Sequence, residues 1–181
     1  QVFMKRPSKV ILVIGGHDPT GGAGITSDIE TINSFNCHAV SLVSCLTSQN
    51  TKEFKMIESV SPQFFSNAAK TLLSDIKVDA VKIGAVGDIK IVEEIGKILS
   101  RLGNAKVIVD PVIKSSSGGI LIEKDTIEAV KSTIFPQSFL ITPNLEEVKV
   151  LSGKENLPEA MQELFLSSIK YILAKDTEKN K

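Results

Sequence analysis

The sequence predicts an α/β fold with a mostly parallel central sheet. Two observations carry this expectation. Short β-branched runs recur along the chain, and the stretches between them have helical spacing. Strand–helix alternation of this kind implies parallel strands joined by crossover helices. The strands are expected at 10–14, 39–46, 78–83, 106–109 and 138–141. The first, VILVI, is apolar without a break, which fits a strand covered on both faces. A helix is expected over ITSDIETINSF. Another starts after Ser61, an N-cap, with Pro62 at its first position. The clearest helix spans 88–102, with Ile89, Val92, Ile95, Leu99 and Leu102 on one face and Lys90, Glu93, Glu94, Lys97 and Arg101 elsewhere. A last helix opens near Pro158 and carries Met161, Leu164, Phe165, Ile169, Ile172 and Leu173. It should feed a further strand, which the chain does not reach. The closing DTEKNK reads as a frayed tail. The first residue is Gln1, not methionine. The expectation is one domain over 1–181, incomplete at its C-terminal end.

A length of 181 residues suits one domain, given the usual prior of about 100–200 residues each. Lys+Arg is 21 and Asp+Glu is 21, so the formal net charge is zero. That argues against nucleic-acid binding by phosphate neutralisation. No run approaches the roughly 18 apolar residues of a membrane span. Cys37 and Cys45 make no disulfide framework, so a reduced, cytoplasmic compartment is expected. With only His17 and His38 in the chain, a His/Cys zinc site is not expected.

Four segments could carry chemistry. Five of the 12 glycines fall in GGHDPTGGAG, between the first strand and the next helix. Glycine there lets backbone approach a ligand closely, and free N–H groups at a helix start suit an anion. The loop lacks the Gly-Lys-Ser/Thr of a P-loop, and Ser27 stands where a dinucleotide fingerprint has its third glycine. Asp28, in about the first helical turn, reads either as a partner of the helix dipole or as an acceptor facing a ligand. Gln49 and Asn50, in CLTSQNT, form a polar turn or a strand-end site. Asp110, in IVDPV before KSSSGG, is a turn former or a carboxylate for a metal or phosphate-bound cation. In ITPNLEEV, Asn144 and Glu147 read as a capping box. They could equally sit at a strand end over Asp110, where oxygen ligands suit water-mediated Mg²⁺.

Together these blocks resemble a known family. IGGHDPTGGAGITSDIET, LTSQNT, VDAVKIG, VDPVIKSSSGG and LITPNLEEVKVLSG stand in the order and spacing of the hydroxymethylpyrimidine and hydroxymethylpyrimidine-phosphate kinases of thiamine biosynthesis. The resemblance covers roughly residues 10–153. It implies a ribokinase-like three-layer α/β/α fold and ATP- and Mg²⁺-dependent phosphoryl transfer. The implied substrates are 4-amino-5-hydroxymethyl-2-methylpyrimidine and its monophosphate. Gly16, Asp28 and Gln49 match residues lining the pyrimidine pocket, with Asp28 accepting from the exocyclic amine and Gln49 facing a ring nitrogen. Asp110, Asn144 and Glu147 match positions facing the nucleotide phosphates and Mg²⁺, with Asp110 and Glu147 acting on the metal through water. A homodimer is also implied.

Two departures stand out. After VKIG the family commonly has a methionine contacting substrate. Here it is Ala85, so the pocket floor should be roomier or filled by Val86. Family members also continue into a KGGH-type strand and a GTGC-type loop that supplies the anion hole; neither is read in these residues. Residues 1–181 alone are therefore expected to transfer no phosphate. The alternatives are a pyridoxal- or pyridoxine-type kinase and a non-catalytic pyrimidine-binding remnant.

Overall fold

The computed structural model describes residues 9–115, 118–166 and 169–176. The chain runs β1 (Val10–His17), α1 (Gly24–Ser34), β2 (His38–Gln49), β3 (Phe54–Ser59), α2 (Pro62–Asp75), β4 (Ala80–Ile83) and α3 (Ile89–Leu99). It continues through β5 (Lys106–Val109), α4 (Lys124–Thr133), β6 (Leu140–Ile141), α5 (Leu145–Ser152), α6 (Leu157–Phe165) and β7 (Tyr171–Ile172). Seven strands form one sheet in the order β3-β2-β1-β4-β5-β6-β7. Only β3 runs antiparallel. The chain builds outward from β1 to β3, then returns to start β4 on the other side of β1. Right-handed crossovers in these two directions place α1 and α3 on opposite faces of the sheet.

β1 is buried on both faces, with Leu12, Val13 and Ile14 fully enclosed. β4 to β6 differ. Val81, Ile83, Val107, Val109 and Ile141 are buried, while Ala80, Lys82, Ile108 and Leu140 on the alternate face are half-exposed. The main core lies on the first of these faces, where α2, α3 and α4 pack side by side. Helix starts follow local chemistry. The Ser61 hydroxyl accepts from the Phe64 N–H at 3.4 Å, with Pro62 behind it. The Asp88 carboxylate accepts from the Ile91 N–H at 3.1 Å. Asn144 and Glu147 complete a capping box on α5, a device with caps typically contributing about 1 kcal/mol.

The structure differs from the sequence reading at several elements. β1 runs on through Gly15, Gly16 and His17, so two of the loop glycines lie in the strand. β2 runs on to Gln49 because β3, which was not expected, pairs with it. Asn50 turns that hairpin, its side-chain oxygen accepting from the N–H groups of Lys52 and Glu53 at 2.8 and 3.0 Å. α4 was not expected either; it buries only Thr126, Ile127 and Val130, a stripe too thin to stand out.

The largest correction concerns the end of the chain. The last helix stops at Phe165, and the strand expected to be missing is present as β7. Ile172 pairs with Ile141 across the sheet. The Leu173 and Lys175 N–H groups donate to the carbonyls of Ile141 and Pro143 at 2.9 and 2.8 Å. Satisfying the edge of β6 overrides the local helical spacing. The N-terminal QVFMKRPS, Ser116 and Ser117, and the polar tail after Asp176 lie outside the described residues. Among the described residues no helix is long and apolar enough to cross a membrane.

Candidate active site

Ligands of open α/β sheets bind outside the carboxyl ends of the strands, where the winding direction reverses. Here that point lies between β1 and β4. A cavity of about 350 Å³ opens there. Gly16, Asp28, Gln49, Ala85 and Asp110 all line it. Asn144 and Glu147 do not; they border a smaller recess of about 50 Å³ that shares Lys114 with the main cavity. A wider groove of about 560 Å³ is lined by α2, α3 and the turn after α3, and touches none of these strand ends.

The floor of the cavity is set by backbone packing. A Cβ on Gly16 would lie 2.9 Å from the Cys45 Sγ and 3.4 Å from the Ala85 Cβ. Gly24 opens α1 at φ +63, and a Cβ there would collide with the Gly16 carbonyl oxygen. Both positions therefore require glycine. Burial pushes the Cys45 thiol up, so it sits protonated beneath the floor as packing rather than as a nucleophile. Ala85 leaves room above it, and its carbonyl accepts from the Ser44 hydroxyl at 2.5 Å. Val86 does not fill that space: it is buried among core residues instead. The Asp18 carboxylate accepts from the Thr20 N–H and hydroxyl, both at 2.9 Å, and shapes the loop into α1.

Asp28 lies beyond the first turn of α1, which holds no acidic residue. The dipole reading therefore loses its geometry, since that effect fades within one turn. Asp28 instead meets Lys82 of β4 at 2.5 Å, with side-chain exposures of 22% and 24%. Lys82 also lines the cavity.

A second carboxylate–ammonium pair includes another lining residue, Asp110. Asp110 accepts from Lys175 at 2.7 Å and from the Thr142 hydroxyl at 3.2 Å. Glu147 is buried, its two oxygens accepting from the N–H groups of Asn144 at 2.8 Å and Ile113 at 3.4 Å. Burial pushes its carboxyl above the usual range. The Asp110 charge adds to this, and the two N–H groups and Lys175 oppose it.

Compared with known proteins, the sequence matches the phosphomethylpyrimidine kinase family over residues 18–181. The chain belongs to that family. A putative hydroxymethylpyrimidine/phosphomethylpyrimidine kinase of Schizosaccharomyces pombe is 32% identical over 84% of this chain and 28% of its own length. A hydroxymethylpyrimidine/phosphomethylpyrimidine kinase of Escherichia coli is 34% identical over 77% of this chain and 53% of its own. The chain thus spans about half or less of the length of these relatives. The crystal structure of a phosphomethylpyrimidine kinase from Clostridium difficile superposes with a TM-score of 0.84 at 29% identity, covering 96% of this chain and 77% of that one. A Bacillus subtilis pyridoxal kinase, solved as an ADP complex, superposes with a TM-score of 0.83 at 24% identity, over 94% of this chain and 67% of its own. That second likeness is one of fold.

Lys82 and Lys175 escaped the sequence reading. Lys82 had a visible signal, a charge inside the otherwise apolar AVKIG. Lys175 had none, because its place over Asp110 depends on β7.

Two outcomes are expected. Gly24→Ala should destabilise the protein by about 1–3 kcal/mol, since it adds left-handed strain to a backbone collision. Thermal melting and ligand titration should show the stability loss and a damaged cavity together. Glu147→Gln keeps a capping-box side chain but removes a desolvated charge. A carboxyl raised in the folded state makes its ionised form destabilising, so the parent loses stability as pH rises from the unfolded value through the folded one. Urea unfolding should show the stability difference moving in favour of Glu147→Gln across that window; a pH-independent difference would contradict it.

Proposed function

We propose that the protein transfers the γ-phosphoryl group of ATP to the hydroxymethyl oxygen of 4-amino-5-hydroxymethyl-2-methylpyrimidine, and then phosphorylates the monophosphate to the diphosphate. The observation that carries this reading is one cavity lined by Asp28, Lys82 and Asp110, with Asp28 paired to Lys82 and Asp110 to Lys175, in a chain of this family.

Asp28 accepts from the exocyclic amine, Gln49 faces a ring nitrogen, and Gly16 and Ala85 leave the ring its space. Asp110, Asn144 and Glu147 lie on the nucleotide side, and the Lys175 ammonium offsets phosphate charge. Phosphoryl transfer depends mostly on such positioning and charge stabilisation. Among the described residues no three His, Cys, Asp or Glu side chains form a ready metal cage. Asp110 and Glu147 are hard oxygen donors, close enough for one charge to act on the other. They suit Mg²⁺ held through its own waters, as that ion prefers. Bound there, it would neutralise charge on the phosphate oxygens. A homodimer belongs to this reading and rests on the family resemblance; a cytoplasmic location rests on Cys37 and Cys45 making no disulfide framework.

The test is ATP-dependent phosphorylation by the full-length protein carrying this sequence, with the hydroxymethylpyrimidine, its monophosphate and pyridoxal assayed side by side. Turnover of both pyrimidines ahead of pyridoxal is expected. Asp28→Ala should weaken pyrimidine binding by about 1–3 kcal/mol, the penalty of an unpaired donor, without unfolding the protein. Preference for pyridoxal would replace this reading with the pyridoxal-kinase one. Pyrimidine binding without turnover would leave a binding protein.

A further inference from the structure

Lys82 is placed where a lysine is costly. It sits on β4 between β1 and β5, opposite Val13 and Ile108, with three-quarters of its side chain covered. A charge so desolvated needs a partner, and Asp28 supplies one at 2.5 Å. That bond uses one of three ammonium hydrogens. Among the described residues Asp28 is its one hydrogen-bond partner. Gly84 leaves the ammonium room at the cavity, since a Cβ there would stand 3.1 Å from the Lys82 Nζ. The cavity therefore presents an acceptor and a charged donor side by side, both among its lining residues.

An aminopyrimidine has the complementary edge: an amine N–H beside a ring nitrogen with a free lone pair. The ring nitrogen of pyridoxal is flanked by a methyl-bearing carbon and a C–H, and has no such neighbouring donor. Resting on the kinase reading above, we propose that Lys82 determines specificity by donating to the ring nitrogen next to the amino-bearing carbon, while Asp28 takes the amine. The pair then selects aminopyrimidines over pyridines through two adjacent hydrogen bonds of opposite sense.

The experiment is calorimetric titration of the full-length protein and of Lys82→Met with three ligands. They are the hydroxymethylpyrimidine, its analogue with C–H in place of that ring nitrogen, and pyridoxal. The parent should bind the pyrimidine about tenfold or more tighter than the C–H analogue, the scale of a charge-assisted hydrogen bond. In Lys82→Met that ratio should fall to about two, with pyridoxal affinity changed less than about threefold. Lys82→Gln, which keeps a donor without the charge, is measured alongside, and circular dichroism confirms the fold of each variant. A residue that only braces Asp28 would lower the affinities for the pyrimidine and its C–H analogue together and leave their ratio intact. A parent that binds the two alike, or a ratio that survives in both variants, overturns the proposal. The parent ratio needs no variant to fold. A parent that binds no pyrimidine at all refutes the kinase reading instead, so the two failures are distinguishable.

Discussion

The close approach of Gly24 to the Gly16 carbonyl ties the start of α1 to the end of β1. Most of the site depends on it. The pairing of β1 with β2 slips between Gly15 and Gly16. Gly16 then lies between Cys45 on β2 and Ala85 after β4, so three strand ends close around one backbone position. Any side chain at Gly16 would push on a buried sulfur, and any at Gly24 on a carbonyl. The helix that results starts at a fixed distance from the sheet. That fixed start carries Asp28, one turn later, to Lys82.

The charge arrangement follows from the winding of the sheet. β1 and β4 are neighbours, but the chain leaves them in opposite directions. The gap above them is where β2, β4 and β5 can all reach a common cavity. Two carboxylates lining that cavity are each matched with a lysine from a distant part of the chain: Asp28 with Lys82, and Asp110 with Lys175. The pairs are only partly exposed. Their effect is to orient charge before any ligand arrives. Oriented charge of this sort costs no reorganisation when a reaction develops new charge.

Much of this was legible in the sequence, for local reasons. Ser61-Pro62 and the Asn144–Glu147 box announce helix starts through hydrogen bonds within four residues, and both stand in the structure. The unbroken VILVI run marks the buried central strand. What escaped was set by distant partners. Nothing in FKMIES demands a strand until β2 offers its edge. Ile169 and Ile172 continue a helical stripe in sequence, yet Ile172 enters the sheet because β6 has unpaired backbone groups. The same holds for the site. Asp28, Gln49 and Asp110 stand near a helix start or strand ends and could be located from those, while Gly16 and Ala85 were singled out through the family resemblance. Lys175 depends on the strand whose existence the local pattern hid.

That last strand ties the turn before α5 to Asp110. The Lys175 N–H donates to Pro143, and its carbonyl accepts from the Leu145 N–H at 3.2 Å. The same residue therefore holds both ends of the turn that carries Asn144, while its ammonium holds Asp110. Glu147 closes the turn from the other side by accepting from the Asn144 N–H. Its second oxygen accepts from the Ile113 N–H and so fixes the segment that follows Asp110. Capping and function are then not rival explanations of Asn144 and Glu147. Two backbone donors hold this carboxyl rigidly, while burial disfavours its charged form. A side chain fixed in place before any ligand arrives is what the capping geometry provides.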